Sequence, residues 1–392
     1  MSQTSRFFQV ALPLLAFFVC ASQGQQKAHP SSPVIGGEPV LHLQRHLTNN
    51  GALPEFLSAT FLPGRGMNVF QITAHLPGKG EVPLLASPSL QTATTLLNGT
   101  GPDKDGNESF MMGGALLFPF ANRILGPATA DGKFILATWR GRTVKLRANW
   151  RGSRPGAAPQ ALHGQLLMAR ATSTQTRSST AQASATATFL LPANRHWFSS
   201  NRVVVHALLR AHSLTLTLTA TNIGDYPEPV GIGWHPYFRL PSGNRANARL
   251  HIPATARAAV NDPDDMFPTG ALLPIAGTPL DFTAPNGAAL TVPVNDAFLP
   301  LQRTAQGHVV CSIADVAANY GLRITALTPF VKTILVYAPA GEPLVVLEPQ
   351  FNNGDPFGQA WKGKDNGNGM VILNPGRSVT WKTQLTLFQP HP

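Results

Sequence analysis

Ser213-Leu214-Thr215-Leu216-Thr217-Leu218-Thr219 alternates hydroxyl and leucine side chains without a fault. Successive side chains of an extended chain point to opposite faces, so this stretch reads as a strand with one apolar face and one wet face. Met67-Asn68-Val69-Phe70-Gln71-Ile72-Thr73-Ala74 repeats the pattern, and Thr380 to Leu387 adds a third run with Trp381 and Leu385 on one side. Turn signals such as Pro241-Ser242-Gly243, Asp262-Pro263-Asp264 and Asn374-Pro375-Gly376 separate the runs. No window longer than about a dozen residues carries a 3.6-residue apolar period free of Pro and Gly. The pattern predicts an all-β protein. The Ser-, Thr- and Ala-rich stretch from Ala171 to Thr188 is read as a polar hairpin rather than a linker, because apolar residues resume at Phe189 without a break.

The composition agrees. Of 392 residues only 12% are charged, while Gly and Pro each occur 35 times, which favours strands joined by tight turns over long solvent-facing helices. The formal charge of +11 is carried by scattered Arg and Lys residues with no run of five. Without a nucleic-acid-binding motif beside it, this charge is read as a solubility trait, and no nucleic-acid partner is expected.

Arg6 followed by the mostly apolar Phe7 to Val19, then Ala21, Ser22 and Gly24, reads as a signal peptide over residues 1–24. The apolar stretch is shorter than the roughly 20 residues a membrane span needs. The expectation is export to a periplasm or the extracellular space, with cleavage and no remaining anchor. Val19 before Cys20 argues against a lipid attachment. The mature chain then holds Cys311 alone, which excludes an intramolecular disulfide; its apolar setting, Val309-Val310-Cys311-Ser312-Ile313, marks a buried structural thiol. Residues 25–55 show no sustained period and read as a weakly ordered or loosely docked leader. Residues 56–390 form the main domain. Asn98-Gly99-Thr100 and Asn107-Glu108-Ser109 match glycosylation acceptors. Asp103, Asp105 and Asn107 begin a calcium-loop spacing that fails at Glu108 and Gly114, so that stretch is read as a polar turn.

Gly231-Ile232-Gly233-Trp234-His235-Pro236-Tyr237-Phe238-Arg239-Leu240-Pro241 is the least ordinary segment. Pro236 holds His235 in extended geometry and gives up a ladder hydrogen bond, which suits a sheet rim where an imidazole faces a cleft. On these residues alone, a functional histidine and a core imidazole satisfied by a backbone partner remain open alternatives.

The segment resembles the signature of the aldose 1-epimerase (galactose mutarotase) family. Other blocks follow in order: Leu117-Phe118-Pro119-Phe120-Ala121-Asn122-Arg123-Ile124, Ala161-Leu162-His163-Gly164, Thr221-Asn222-Ile223-Gly224-Asp225, Phe267-Pro268-Thr269-Gly270, Leu280-Asp281-Phe282, Asn295-Asp296-Ala297-Phe298 and Val345-Val346-Leu347-Glu348-Pro349-Gln350. The resemblance runs from about residue 56 to 388. It implies a β-supersandwich of large, twisted antiparallel sheets with a sugar site in an open cleft. It further implies His235 as general acid, Glu348 as general base, and Asn122, Arg123, His163 and Asp296 as groups holding the hydroxyls of a neutral monosaccharide.

The chemistry fits those roles. Mutarotation removes a proton from the anomeric hydroxyl while another reaches the ring oxygen, so one base and one acid suffice. No cofactor or metal is expected, since the sequence shows no Gly-rich phosphate loop and no close His/Cys ligand cluster. Two departures stand out: the long segment between Arg123 and His163, and Gln165 where the family often carries a glycine. Three rivals are carried forward: a hexose-6-phosphate epimerase, a non-catalytic carbohydrate-binding protein of the same fold, and a glycosidase built on Asp296 and Glu348.

Overall fold

The strand Ser213–Asn222 is paired on both sides, with Asn201–Arg210 and with Ser378–Phe388. Leu214, Leu216, Leu218 and Ala220 are buried, and the intervening threonines form the opposite face. In the computed structural model, which describes residues 32–48, 51–362 and 367–390, this strand lies within a nine-stranded antiparallel sheet. The order is Ser173–Ser178, Gln182–Leu191, Asn201–Arg210, Ser213–Asn222, Ser378–Phe388, Tyr320–Ala326, Val309–Asp315, Ala248–His251 and Ala288–Ala289. Its first two strands are the polar hairpin expected from the Ser/Thr/Ala stretch.

A seven-stranded sheet faces it, in the order Pro268–Pro274, Ala256–Val260, Val294–Phe298, Thr333–Ala338, Leu344–Gln350, Gly233–Arg239 and Gly114–Leu117. Trp234, Phe238, Val336, Val345 and Leu347 from this sheet join Leu216, Leu218 and Ile324 from the nine-stranded sheet in one continuous core. The alternate residues of the seven-stranded sheet therefore face outward, and they floor the cleft described below. Two short α-helices, Leu90–Leu96 and Asn107–Phe110, are the α-helical elements among the described residues, and no helix there is long and apolar enough to cross a membrane.

Part of the segment read as a leader is built into this framework. Leu41–Gln44 pairs with Glu55–Leu62 in a four-stranded sheet completed by Asn68–Leu76 and Gly80–Pro83, and Ile35, Val40 and Leu43 are buried. A four-residue strand is too short to show a period in sequence, which is why it escaped the pattern. The expected signal segment, residues 1–24 with Cys20, lies outside the described residues. Cys311 is buried, and that burial pushes its thiol pKa up, so it is an inert core group. Asp103 is taken up by a buried ion pair with Arg65.

Candidate active site

The strand Gly233–Arg239 changes partner at Pro236. Residues Gly233 to Pro236 pair with Gly114–Leu117, whereas Tyr237 to Arg239 pair with Leu344–Gln350. Proline cannot donate to a ladder, so it suits the point where one partner gives way to another. Continuing the register Tyr237↔Val346 by two positions puts His235 opposite Glu348. Residues two apart share a face, so both side chains project from the outer side of the sheet. His235 Nε2 stands 3.3 Å from Glu348 Oε1.

Two residues further along, Gln350 shares the face of Glu348, and its Nε2 donates to Glu348 Oε2 at 2.8 Å. One carboxylate oxygen is thus anchored while the other faces the imidazole. His235 Nδ1 is buried without a partner on another described residue. Burial pushes the Glu348 carboxyl up to about 8 and the His235 imidazole down to about 3, because each charged form loses hydration inside the protein.

A second group arrives from the loops after Gly114–Leu117 and Pro159–Leu162. The short strand Arg123–Leu125 pairs Arg123 with Leu162, which brings Asn122 beside His163. His163 N–H donates to Asn122 O at 3.0 Å, and Asn122 N–H donates to His163 Nδ1 at 3.3 Å. With Nδ1 accepting, the neutral ring keeps its proton on Nε2. Asn122 and His163 both have φ of 62°, a left-handed conformation uncommon for residues with a Cβ. Such strain persists where the surroundings hold it, often at functional sites. Asn122 Oδ1 accepts from Arg123 N at 2.9 Å and from the Arg123 guanidinium at 3.3 Å, which orients the arginine. Burial lowers the pKa of Arg123, against the opposing pull of Glu348, Asp264 and Asp265. His163 falls well below 6.5, chiefly through burial and then through His235 and Arg123, so it serves as a neutral hydrogen-bond donor.

These groups line a cavity of about 510 Å³. Its walls are aromatic: the ring of Phe110 is 4.8 Å from that of His163 and 5.7 Å from that of Trp150, and Tyr237 packs 5.1 Å from His235. The mouth is crossed by two loops. Ser153 Oγ donates to Asp264 Oδ1 at 2.8 Å, Arg154 N donates to Asp264 Oδ2 at 3.0 Å, and the Arg154 side chain pairs with Asp265. The backbone N–H donors of Arg154 and Ser153, with the Ser153 hydroxyl, hold the Asp264 carboxyl down at about 2.

The aldose 1-epimerase family model matches residues 89–386. The chain belongs to the aldose 1-epimerase family. Solved structures share its fold, a galactose mutarotase-like β-supersandwich. A galactose mutarotase-like protein from Clostridium acetobutylicum aligns with a TM-score of 0.68 at 16% identity, over 89% of this chain and 99% of that one. A putative aldose 1-epimerase from Escherichia coli K12 gives 0.61 at 19% identity, over 89% and 100%. The GalM/aldose epimerase homologue from C. elegans gives 0.63 at 16%, over 90% and 100%. No curated protein matches the sequence.

Of the six residues that the family resemblance pointed to, Asn122, Arg123, His163, His235 and Glu348 converge on the cavity. Asp296 does not. It shares its strand face with Val294 and Phe298, both in the core, and it is ion-paired with Arg257 at 2.7 Å. Its neighbour Asn295 points the other way and lines the cavity. Tyr237 and Gln350 were missed as well, although each lies two residues from a predicted catalytic group and so shares its face.

Proposed function

We propose that the protein is an aldose 1-epimerase that interconverts the α and β anomers of a free, neutral aldohexose such as glucose or galactose. The observation that carries this reading is the His235–Glu348 pair, at 3.3 Å on the floor of a cavity large enough for a sugar. With one group low at about 3 and the other high at about 8, the pair holds one titratable proton across the intervening range. Glu348, protonated below about 8, is then the acid and the unprotonated His235 the base, the reverse of the roles that the family resemblance implies.

In the reaction the basic member takes the proton of the C1 hydroxyl and the acidic member gives its proton to O5. The C1–O5 bond breaks, and C1 becomes an aldehyde. After rotation about C1–C2, O5 attacks the other face of the carbonyl. The two groups return their protons in reversed roles, so atoms and charge balance. Arg123, His163 Nε2–H and Asn295 are placed to hold ring hydroxyls, and the aromatic walls keep bulk water away.

Polarimetry of freshly dissolved α-D-glucose and α-D-galactose tests the reading. Faster equilibration by the wild type, lost in His235→Ala and Glu348→Gln, is the expected result. Sugar binding with an unchanged spontaneous rate would make the protein a non-catalytic carbohydrate binder instead.

A further inference from the structure

The face of the nine-stranded sheet that points away from the core carries a charge pattern unrelated to the cleft. Register assigns its members without ambiguity, because paired residues share a face. Gln182 pairs with Arg210, Leu190 with Arg202 and Arg202 with Thr221; Thr217 pairs with Lys382, Arg323 with Thr386, and Arg249 with Ala314. Arg177, opposite Ser184, extends the face to the edge strand. Six Arg and Lys residues therefore stand on one surface. No Asp or Glu shares it among the described residues, although the chain contains 19 acids. None of the six lies within ion-pair distance of a described carboxylate.

Between the cations the face carries mainly hydroxyls and carboxamides, interrupted by the aliphatic side chains of Leu190, Val204, Leu208 and Val310. Thr219 and Thr380 meet at 3.1 Å and Thr221 and Ser378 at 2.8 Å across neighbouring strands. At the edge the surface dips into a cavity of about 410 Å³ lined by Gln175, Arg177, Gln182, Ser184, Thr186 and His206, again without an acid.

We infer that this face docks the protein onto an acidic polysaccharide. Its unbalanced positive charge selects a polyanion, and its ordered hydroxyl and amide groups suit the hydroxyls of a sugar chain. A second copy of the same face is repelled by like charge. A nucleic acid bound across a sheet calls for rings on which bases stack. Phe388 is the one Phe, Tyr or Trp that register puts on this face, and Arg323 covers it at 5.1 Å. The core separates this face from the cleft, so docking leaves the cleft open.

Biolayer interferometry on immobilised polygalacturonate, dextran and single-stranded DNA tests the inference with the full chain. The wild type binds polygalacturonate and not dextran, and about 0.5 M NaCl abolishes the binding by screening. Arg202→Glu with Lys382→Glu weakens it by at least about tenfold, the scale expected when cations on a polyelectrolyte-binding surface are reversed. Mutarotation stays unchanged. Arg140→Glu with Arg195→Glu makes the same change in net charge away from the face and leaves binding intact. Equal loss in both double variants would reduce the effect to net charge and overturn the inference, as would no binding to polygalacturonate. Tighter binding to DNA than to polygalacturonate, with the same variant sensitivity, would assign the face to nucleic acid instead.

Discussion

His235 and Glu348 are cross-strand neighbours, two positions beyond the last paired residues Tyr237 and Val346, and their side chains meet at 3.3 Å. Because strand register rather than a flexible loop sets their separation, the imidazole and the carboxyl are held against each other on a rigid floor. Burial shifts each group in its own direction, the His235 imidazole down to about 3 and the Glu348 carboxyl up to about 8.

The pH dependence follows. Between those values the pair keeps one proton, and turnover is level. As pH rises through about 8 that proton is lost, leaving two bases and no acid, so kcat falls about tenfold per further pH unit. Initial polarimetric rates from pH 5 to 10, corrected for the spontaneous reaction, measure this. A rate still climbing at the alkaline end would mean that the acid is some other group. Within the plateau, Glu348→Gln and His235→Ala each lower kcat by about 10²–10⁴-fold.

Glu348 also makes the stability of the fold depend on pH. Its pKa is raised from 4.5 to about 8, so between those values the folded state binds more protons than the unfolded one. Its stabilising share is complete below 4.5 and is lost as pH rises through about 8. Glu348→Gln removes that dependence while Gln350 retains an oxygen to bond. The variant is inactive yet melts about 3 °C higher at pH 8, with little difference at pH 4.5. Thermal unfolding of both proteins at the two pH values checks the sign.

The strand Ser213–Asn222 was legible because the strict alternation from Ser213 to Thr219 leaves no helical reading. His235 and Glu348 were legible because each sits beside a proline in a distinctive block. What stayed hidden depended on parity and on long-range assembly. A one-residue shift along a strand exchanges the two faces, and that is the whole difference between Asn295 in the cavity and Asp296 against Arg257. The wall of Phe110, Trp150 and Tyr337 comes from three separate segments, and no local pattern links them.

That parity makes its own prediction. Asn295→Ala raises KM by about fivefold with kcat little changed, the scale of one lost hydrogen bond. Asp296→Asn leaves both kinetic constants unaltered and costs less than about 1 kcal/mol of stability, since its partner Arg257 is partly exposed. Kinetics of the two single variants decide the matter; the reverse pattern would return Asp296 to the site.

The mouth of the cleft sets the last prediction. Asp264 ties the loop holding Ser153 and Arg154 across the opening, and Gly152 passes so close that a Cβ there would lie 2.3 Å from Asp264 Oδ2. Because Ser153 and Arg154 hold that carboxylate, Gly152→Ala must displace it and loosen the clasp, as must Asp264→Ala, which leaves the Arg154–Asp265 ion pair as the remaining tie. Both variants then raise KM for galactose by about threefold to tenfold, because the loosened loop encloses the bound sugar less well. Both also let a longer sugar project through the mouth. The ratio of kcat/KM for lactose to that for galactose therefore rises in each variant. If both variants leave this ratio unchanged, the two loops pack together without acting as a size filter.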